Sequence, residues 1–109
     1  MLADLRPAGA RGRPLAELAE LLGVGLRGPG DPLTVSRVTV SGVTHDSRRV
    51  RAGDLYAALP GGHHHGADFC PDAVQAGAVA VLTDPGGRAA ARRCGLPVFV
   101  VADPRARLG

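Results

Sequence analysis

The chain contains no lysine; all 13 of its Lys+Arg positions are arginine. A P-loop needs a lysine amine on the nucleotide phosphates, so these residues alone cannot complete one. A Schiff base or a lysine carbamate is excluded on the same ground. Aromatic residues are nearly as scarce. There is no Trp, and Tyr56, Phe69 and Phe99 make up the whole set. With so few stacking platforms, and with arginines scattered from Arg6 to Arg107, a formal charge of +3 does not describe a nucleic-acid surface. It suits a small anionic ligand held by a few guanidinium groups. Cys70 and Cys94 are too few for a disulfide framework and read as free thiols that pack as small hydrophobes. No apolar run approaches roughly eighteen residues, and no apolar segment follows the N-terminal charges. The expectation is a soluble cytoplasmic protein with neither a membrane nor a nucleic acid as partner.

What is present is 109 residues, a length that suits one domain. Val, Leu and Ala dominate its apolar share, as tight helix-on-sheet layers require. Residues 1–13 read as a flexible leader, rich in Gly and Arg. Pro14 opens a short amphipathic helix, with Leu15, Leu18, Leu21 and Leu22 at helical spacing and Gly23 just past its end. Residues 25–33 form a Gly/Pro loop. From Thr34 to Val43 the pattern alternates, with Val38 and Val40 on one face, which predicts a half-buried strand ending near Gly42. Leu55–Leu59, Ala78–Thr83 and Pro97–Val101 are apolar runs of strand length. Between them lie two short helices, one running to about Ala76 with Asp68 as its cap and Phe69, Ala73 and Ala76 along one face, the other spanning Arg88–Cys94. Strand–helix–strand steps imply right-handed parallel crossovers. The fold class is therefore α/β, a small three-layer sandwich with a mostly parallel sheet.

The informative stretch is Val43–Phe69. It holds two polar loops, each leaving the C-terminal end of a short strand, where open α/β sheets bind ligands. The first, Thr44-His45-Asp46-Ser47-Arg48, offers hydroxyl, carboxylate and guanidinium groups together. The second, Gly61–Gly66, offers glycines whose backbone can approach a ligand closely. Arg48 and backbone N–H groups can hold a diphosphate, and Ser47 can hydrogen-bond a uracil. The same residues also suit a plain capped turn with an internal ion pair. His63-His64-His65 invites a metal, but adjacent histidines in an extended loop point alternately and seldom converge on one ion. No metal is assigned to them.

The ordered set Asp46-Ser47-Arg48, Gly53-Asp54-Leu55-Tyr56-Ala57-Ala58-Leu59, Gly61, His65-Gly66, Phe69 and Gly77-Ala78 resembles the N-terminal domain of the Mur ligase family. The resemblance is collinear and spans roughly Val38 to Asp103. It implies an N-terminal domain, over residues 14–103, that binds the UDP part of UDP-N-acetylmuramoyl-L-Ala-D-Glu during peptidoglycan synthesis, a step in cell-wall biogenesis. In the branch that adds the third stem-peptide residue, diaminopimelate or lysine, it implies ligand contacts at His45, Ser47, Gly62, His63 and His64, with Arg48 bracing the loop or meeting phosphate. Asp54 and Tyr56 are read as turn cap and core. Residues 104–109 resemble the lead into a central ATPase domain; ATP and Mg2+ would belong to the full-length enzyme, with no cofactor and no catalytic residue in this chain. The other readings are the D-alanyl-D-alanine-adding branch, which usually has Asp where His65 stands, and a free-standing nucleotide-sugar- or metal-binding module.

Overall fold

The computed structural model describes residues 13–23, 35, 38–61 and 64–103. The expected leader up to residue 12, the Gly/Pro loop, Gly62, His63 and the expected linker at 104–109 lie outside the described residues. The described elements are β1 (Arg13–Pro14), α1 (Leu15–Leu22), β2 (Thr39–Val40), β3 (Gly42–Thr44), β4 (Asp54–Ala58), α2 (Cys70–Ala76), β5 (Ala80–Thr83), α3 (Arg88–Arg93) and β6 (Val98–Val100).

Strands β3-β4-β5-β6 form one parallel sheet in that order. Every residue of β4 and β5 is buried, as continuous apolar runs covered on both faces require. The two-residue period of the strands then divides the core. Tyr56, Ala58, Val81 and Val98 point to one side, where they pack with Ala67, Cys70 and Ala73 of the α2 region and Ala91 of α3. Leu55, Ala80, Leu82 and Phe99 point to the other, with Leu15 of α1, Val35 and Val40. Helices thus cover both faces, and the three-layer α/β reading holds. Gly23 and Gly77 end α1 and α2 in the left-handed conformation, as their place in the sequence suggested.

Four local expectations are corrected. Of the single strand expected from Thr34 to Val43, Thr34, Ser36 and Arg37 lie outside the described residues and the rest is divided: Val35 is helical, β2 pairs antiparallel with β1, and β3 turns into the main sheet beyond Ser41. Ser41 marks the break by donating its N–H to the Gly53 carbonyl (2.8 Å) instead of continuing the β1–β2 ladder. Arg13, expected in the leader, pairs with Val40. Leu21, expected on the apolar face of α1, is 62% exposed, because only Leu15, Leu18, Ala19 and Leu22 face the sheet.

The fourth correction bears on the site. Asp68 does not cap the helix after β4. A 3-10 turn, Gly66–Phe69, precedes α2, and its cap is His65, whose Nδ1 accepts from the Ala67 N–H (2.9 Å). The helix proper starts at Cys70, so its buried face is Cys70 and Ala73, while Phe69 is 40% exposed and Ala76 is exposed.

Candidate functional site

Because the sheet is parallel, β3, β4 and β5 all end on the same edge. Three regions therefore meet there: His45–Arg48 after β3, the described residues 59–61 and 64–66 after β4, and Asp84–Gly87 after β5. A cleft of about 680 Å³ opens between the first two, lined among others by His45, Ser47, Arg48, Tyr56, Gly61, His64 and Phe69. That volume lies within the roughly 300–1,000 Å³ of small-molecule sites.

The first loop is a capped 3-10 turn over Ser47–Arg49. Asp46 accepts from the Arg48 N–H (2.9 Å) and from Arg48 Nε (3.2 Å), and the Arg49 guanidinium lies 3.7 Å away. These hydrogen bonds from Arg48 hold the Asp46 carboxyl below the usual carboxylate range, and the pairing raises the Arg48 guanidinium. The internal ion pair allowed for a plain turn is therefore present. It does not fix Arg48 in place, since that side chain is 88% exposed and solvent screens an exposed pair. An incoming phosphate can compete with Asp46 for the guanidinium.

The second loop is closed at its base. The Gly66 N–H donates to the Leu59 carbonyl (2.7 Å), and the Tyr56 hydroxyl donates to the Gly66 carbonyl (2.8 Å). A Cβ on Gly66 would stand 2.7 Å from the Leu59 nitrogen, so only glycine allows this closure. Burial pushes the Tyr56 phenol up to about 12, although the neighbouring Ser47 hydroxyl favours its ionised form. Tyr56 thus links the two loops, with Ser47 on one side and Gly66 on the other. At the mouth, the His64 ring stands edge-on to Phe69, with centroids 6.1 Å apart.

His65 turns away from the cleft. Its Nε2 lies 2.7 Å from Asp84 Oδ1 and its Nδ1 takes the Ala67 N–H, so both ring nitrogens are occupied by protein. The histidine run is thereby divided, and His65 is not available to a metal shared with His64. Cys70 and Cys94 are free thiols; burial, with Cys94 nearby, pushes the Cys70 thiol up to about 12. Asp54 is a turn cap as expected, accepting from the Arg51 N–H (2.9 Å).

Of the expected ligand residues, His45, Ser47, Arg48 and His64 gather on one cleft, while Gly62 and His63 lie outside the described residues. Sequence reasoning missed Tyr56 and Phe69 as cleft residues. Their apolar character and helical or strand spacing placed them in the core, and no local signal separates the two roles.

The Mur ligase family, catalytic domain, matches residues 39–108. The chain belongs to the Mur ligase family. It is 57% identical over 104 residues to the UDP-N-acetylmuramoyl-L-alanyl-D-glutamate--2,6-diaminopimelate ligase of Streptomyces avermitilis, covering 95% of this chain and 19% of that protein. It is 48% identical over 105 residues to the UDP-N-acetylmuramyl-tripeptide synthetase of Leifsonia xyli subsp. xyli, covering 96% of this chain and 20% of that protein. This Mur ligase chain therefore spans about a fifth of the length of these relatives. Among solved structures, MurF from Acinetobacter baumannii superposes with a TM-score of 0.68 at 20% identity, covering 89% of this chain and 19% of that one; the likeness is one of fold. Among the described residues, no helix is long and apolar enough to cross a membrane.

Proposed function

We propose that this chain is the N-terminal, UDP-sugar-binding domain of the Mur ligase that adds the third stem-peptide residue. Its ligand is the UDP part of UDP-N-acetylmuramoyl-L-Ala-D-Glu, and its setting is the cytoplasmic stage of peptidoglycan synthesis. The observation that carries the proposal is the facing of two loops across one cleft, with Ser47 and Arg48 on one wall and Gly61 and His64 on the other. Arg48 is placed to exchange Asp46 for a phosphate, Ser47 to meet the uridine end, and the second loop to offer backbone N–H groups. Gly62 and His63 are proposed as further contacts on that loop.

The identity to relatives named for the diaminopimelate-adding and tripeptide-forming reactions supports this branch. So does His65: an Asp there, usual in the D-alanyl-D-alanine-adding branch, would lose the 2.7 Å hydrogen bond that His65 Nε2 makes to Asp84 and leave a second carboxylate facing it. ATP and Mg2+ belong, in this proposal, to the rest of the ligase. The chain's residues do not fit an ATP phosphate site, because it has no lysine to place on the phosphates. The domain's contribution is binding energy and orientation: it anchors the uridine end so that the distant carboxyl is delivered to the reacting centre.

Calorimetry of the chain with UDP-N-acetylmuramoyl-dipeptide, UMP and ATP tests the proposal. Binding of the first two, without ATP, is expected. Binding of ATP but not UMP would refute it.

A further inference from the structure

We infer that Asp84, on the turn after β5, is a positioning residue for the nucleotide loop, acting through His65. This deepens the reading of the cleft as the UDP-sugar site and rests on it.

The chain of contacts is continuous. Asp84 is held on its own turn, where the Gly87 N–H donates to both its carbonyl (3.0 Å) and its Oδ1 (3.0 Å). The same Oδ1 meets His65 Nε2 at 2.7 Å, in a pair whose side chains are only 21% and 19% exposed. On the far side of the ring, Nδ1 accepts from Ala67. A backbone N–H can only donate, so Nδ1 carries the lone pair and the neutral ring's proton sits on Nε2, aimed at Asp84. Burial works against the Asp84 charge, but the His65 hydrogen bond and the Gly87 N–H hold its carboxyl below the usual range.

The ring is thus fixed at both nitrogens, and it belongs to the residue between His64, which lines the cleft, and Gly66, which closes the loop. The interior of the turn leaves the ring little freedom. A Cβ on Gly87 would come within 2.5 Å of His65 Cε1 and closer still to Thr83 Oγ1. Asp84 itself does not line the cleft. Its influence on the ligand passes through the orientation of the segment that carries His64, and residue 65 and residue 84 act as one pair: His with Asp is compatible, whereas Asp facing Asp is repelled.

The test uses the full-length polypeptide that carries this domain, assayed for ADP release with UDP-N-acetylmuramoyl-dipeptide and with ATP varied in turn, beside melting curves and UMP binding. Asp84→Ala is expected to raise the KM for the sugar nucleotide roughly tenfold, the scale of one charge-assisted hydrogen bond, while kcat and the KM for ATP stay near wild type. A merely structural loss would lower the amount of active enzyme and leave KM alone. His65→Asp retains a cap acceptor for Ala67 but faces Asp84, and should raise KM further. Adding Asp84→Asn to it removes the like charge and should restore most of the loss. If Asp84→Ala does not fold, the His65→Asp pair decides. A double variant no better than His65→Asp overturns the inference, as does an Asp84→Ala enzyme with wild-type KM. Failure of the wild type to bind UMP would instead sink the reading of the cleft.

Discussion

Replacing Tyr56 by Phe removes one oxygen from the junction of the two loops. The ring is 1% exposed and its hydroxyl donates to Gly66 at 2.8 Å. A neutral hydrogen bond nets about 0.5–1.5 kcal/mol, and leaving the carbonyl short of a donor adds to that, so a loss of about 1–2 kcal/mol follows. For a domain of this size that lowers Tm by roughly 4–10 °C. The pH dependence gives a second, independent signature. Tyr56 has its folded value pushed from 10.0 to about 12, and Cys70 from 9.0 to about 12, both chiefly by burial. The unfolded chain loses these protons first, so their contribution is fully present below pH 9 and is lost as pH rises toward 12. Tyr56→Phe removes the tyrosine share of that loss and leaves the cysteine share. The assay is thermal unfolding of both proteins by circular dichroism from pH 7 to pH 11.5. The variant should melt lower at pH 7, and the gap should narrow above pH 10. A variant that melts with wild type at pH 7, or a gap constant through pH 11.5, refutes the placement of the hydroxyl.

Three other substitutions probe the cleft and its frame. Ser47→Ala should weaken binding of UDP-N-acetylmuramoyl-dipeptide roughly five- to a hundredfold in calorimetry with little change in Tm, since one hydrogen bond to a neutral or charged group is lost; unchanged affinity would make the first loop purely structural. Arg48→Ala should cost affinity at low salt and much less at high salt, because an exposed guanidinium–phosphate contact is screened. A salt-independent loss would mean that Arg48 only braces the turn. Gly87→Ala should destabilise the chain by about 1–3 kcal/mol in denaturant unfolding, because its methyl meets Thr83, His65 and Ala67 at once; a neutral result would show that the Asp84 turn is looser than described.

The sheet was legible where burial on both faces forces a continuous apolar run. Ala80–Thr83 and Val98–Val100 fall inside apolar runs that mark strands in the sequence, and Asp54–Ala58 matches the expected Leu55–Leu59 shifted by one residue, since the sequence assigns Asp54 to the preceding turn. Helix ends were legible where glycine must leave the helix, at Gly23 and Gly77. The pattern failed between Val38 and Val43, because alternation reports which side chains are buried and not which strand they pair with. Val38 and Val40 do face the core, as their spacing requires, yet they belong to the small antiparallel pair or its flank. Choosing between the two sheets depends on Ser41 meeting Gly53, a contact that no local window contains.

The candidate site was legible as two loops lining one cleft and not as side-chain contacts, and the reason lies in which forces act there. Strand ends locate a parallel sheet's ligand edge from the order of elements alone, so His45–Arg48 and the Gly61 loop could be named in advance. The roles of individual residues depend on polar contacts between distant segments. Asp is the ordinary helix cap, and Asp68 was chosen by that rule; His65 caps instead because Asp84, 19 residues away, holds its ring in the accepting orientation. Moving the cap from Asp68 to His65 makes Gly66–Phe69 a 3-10 turn ahead of the helix, and this puts Phe69 at the cleft rather than on the buried face. Tyr56 shows the same logic in reverse. Its ring satisfies the strand pattern, so the pattern cannot reveal that its hydroxyl ties Gly66 down. Local propensity and long-range satisfaction agree through the body of the sheet and part company at its carboxyl edge, where buried polar groups must find partners across the chain and where a ligand has to be met.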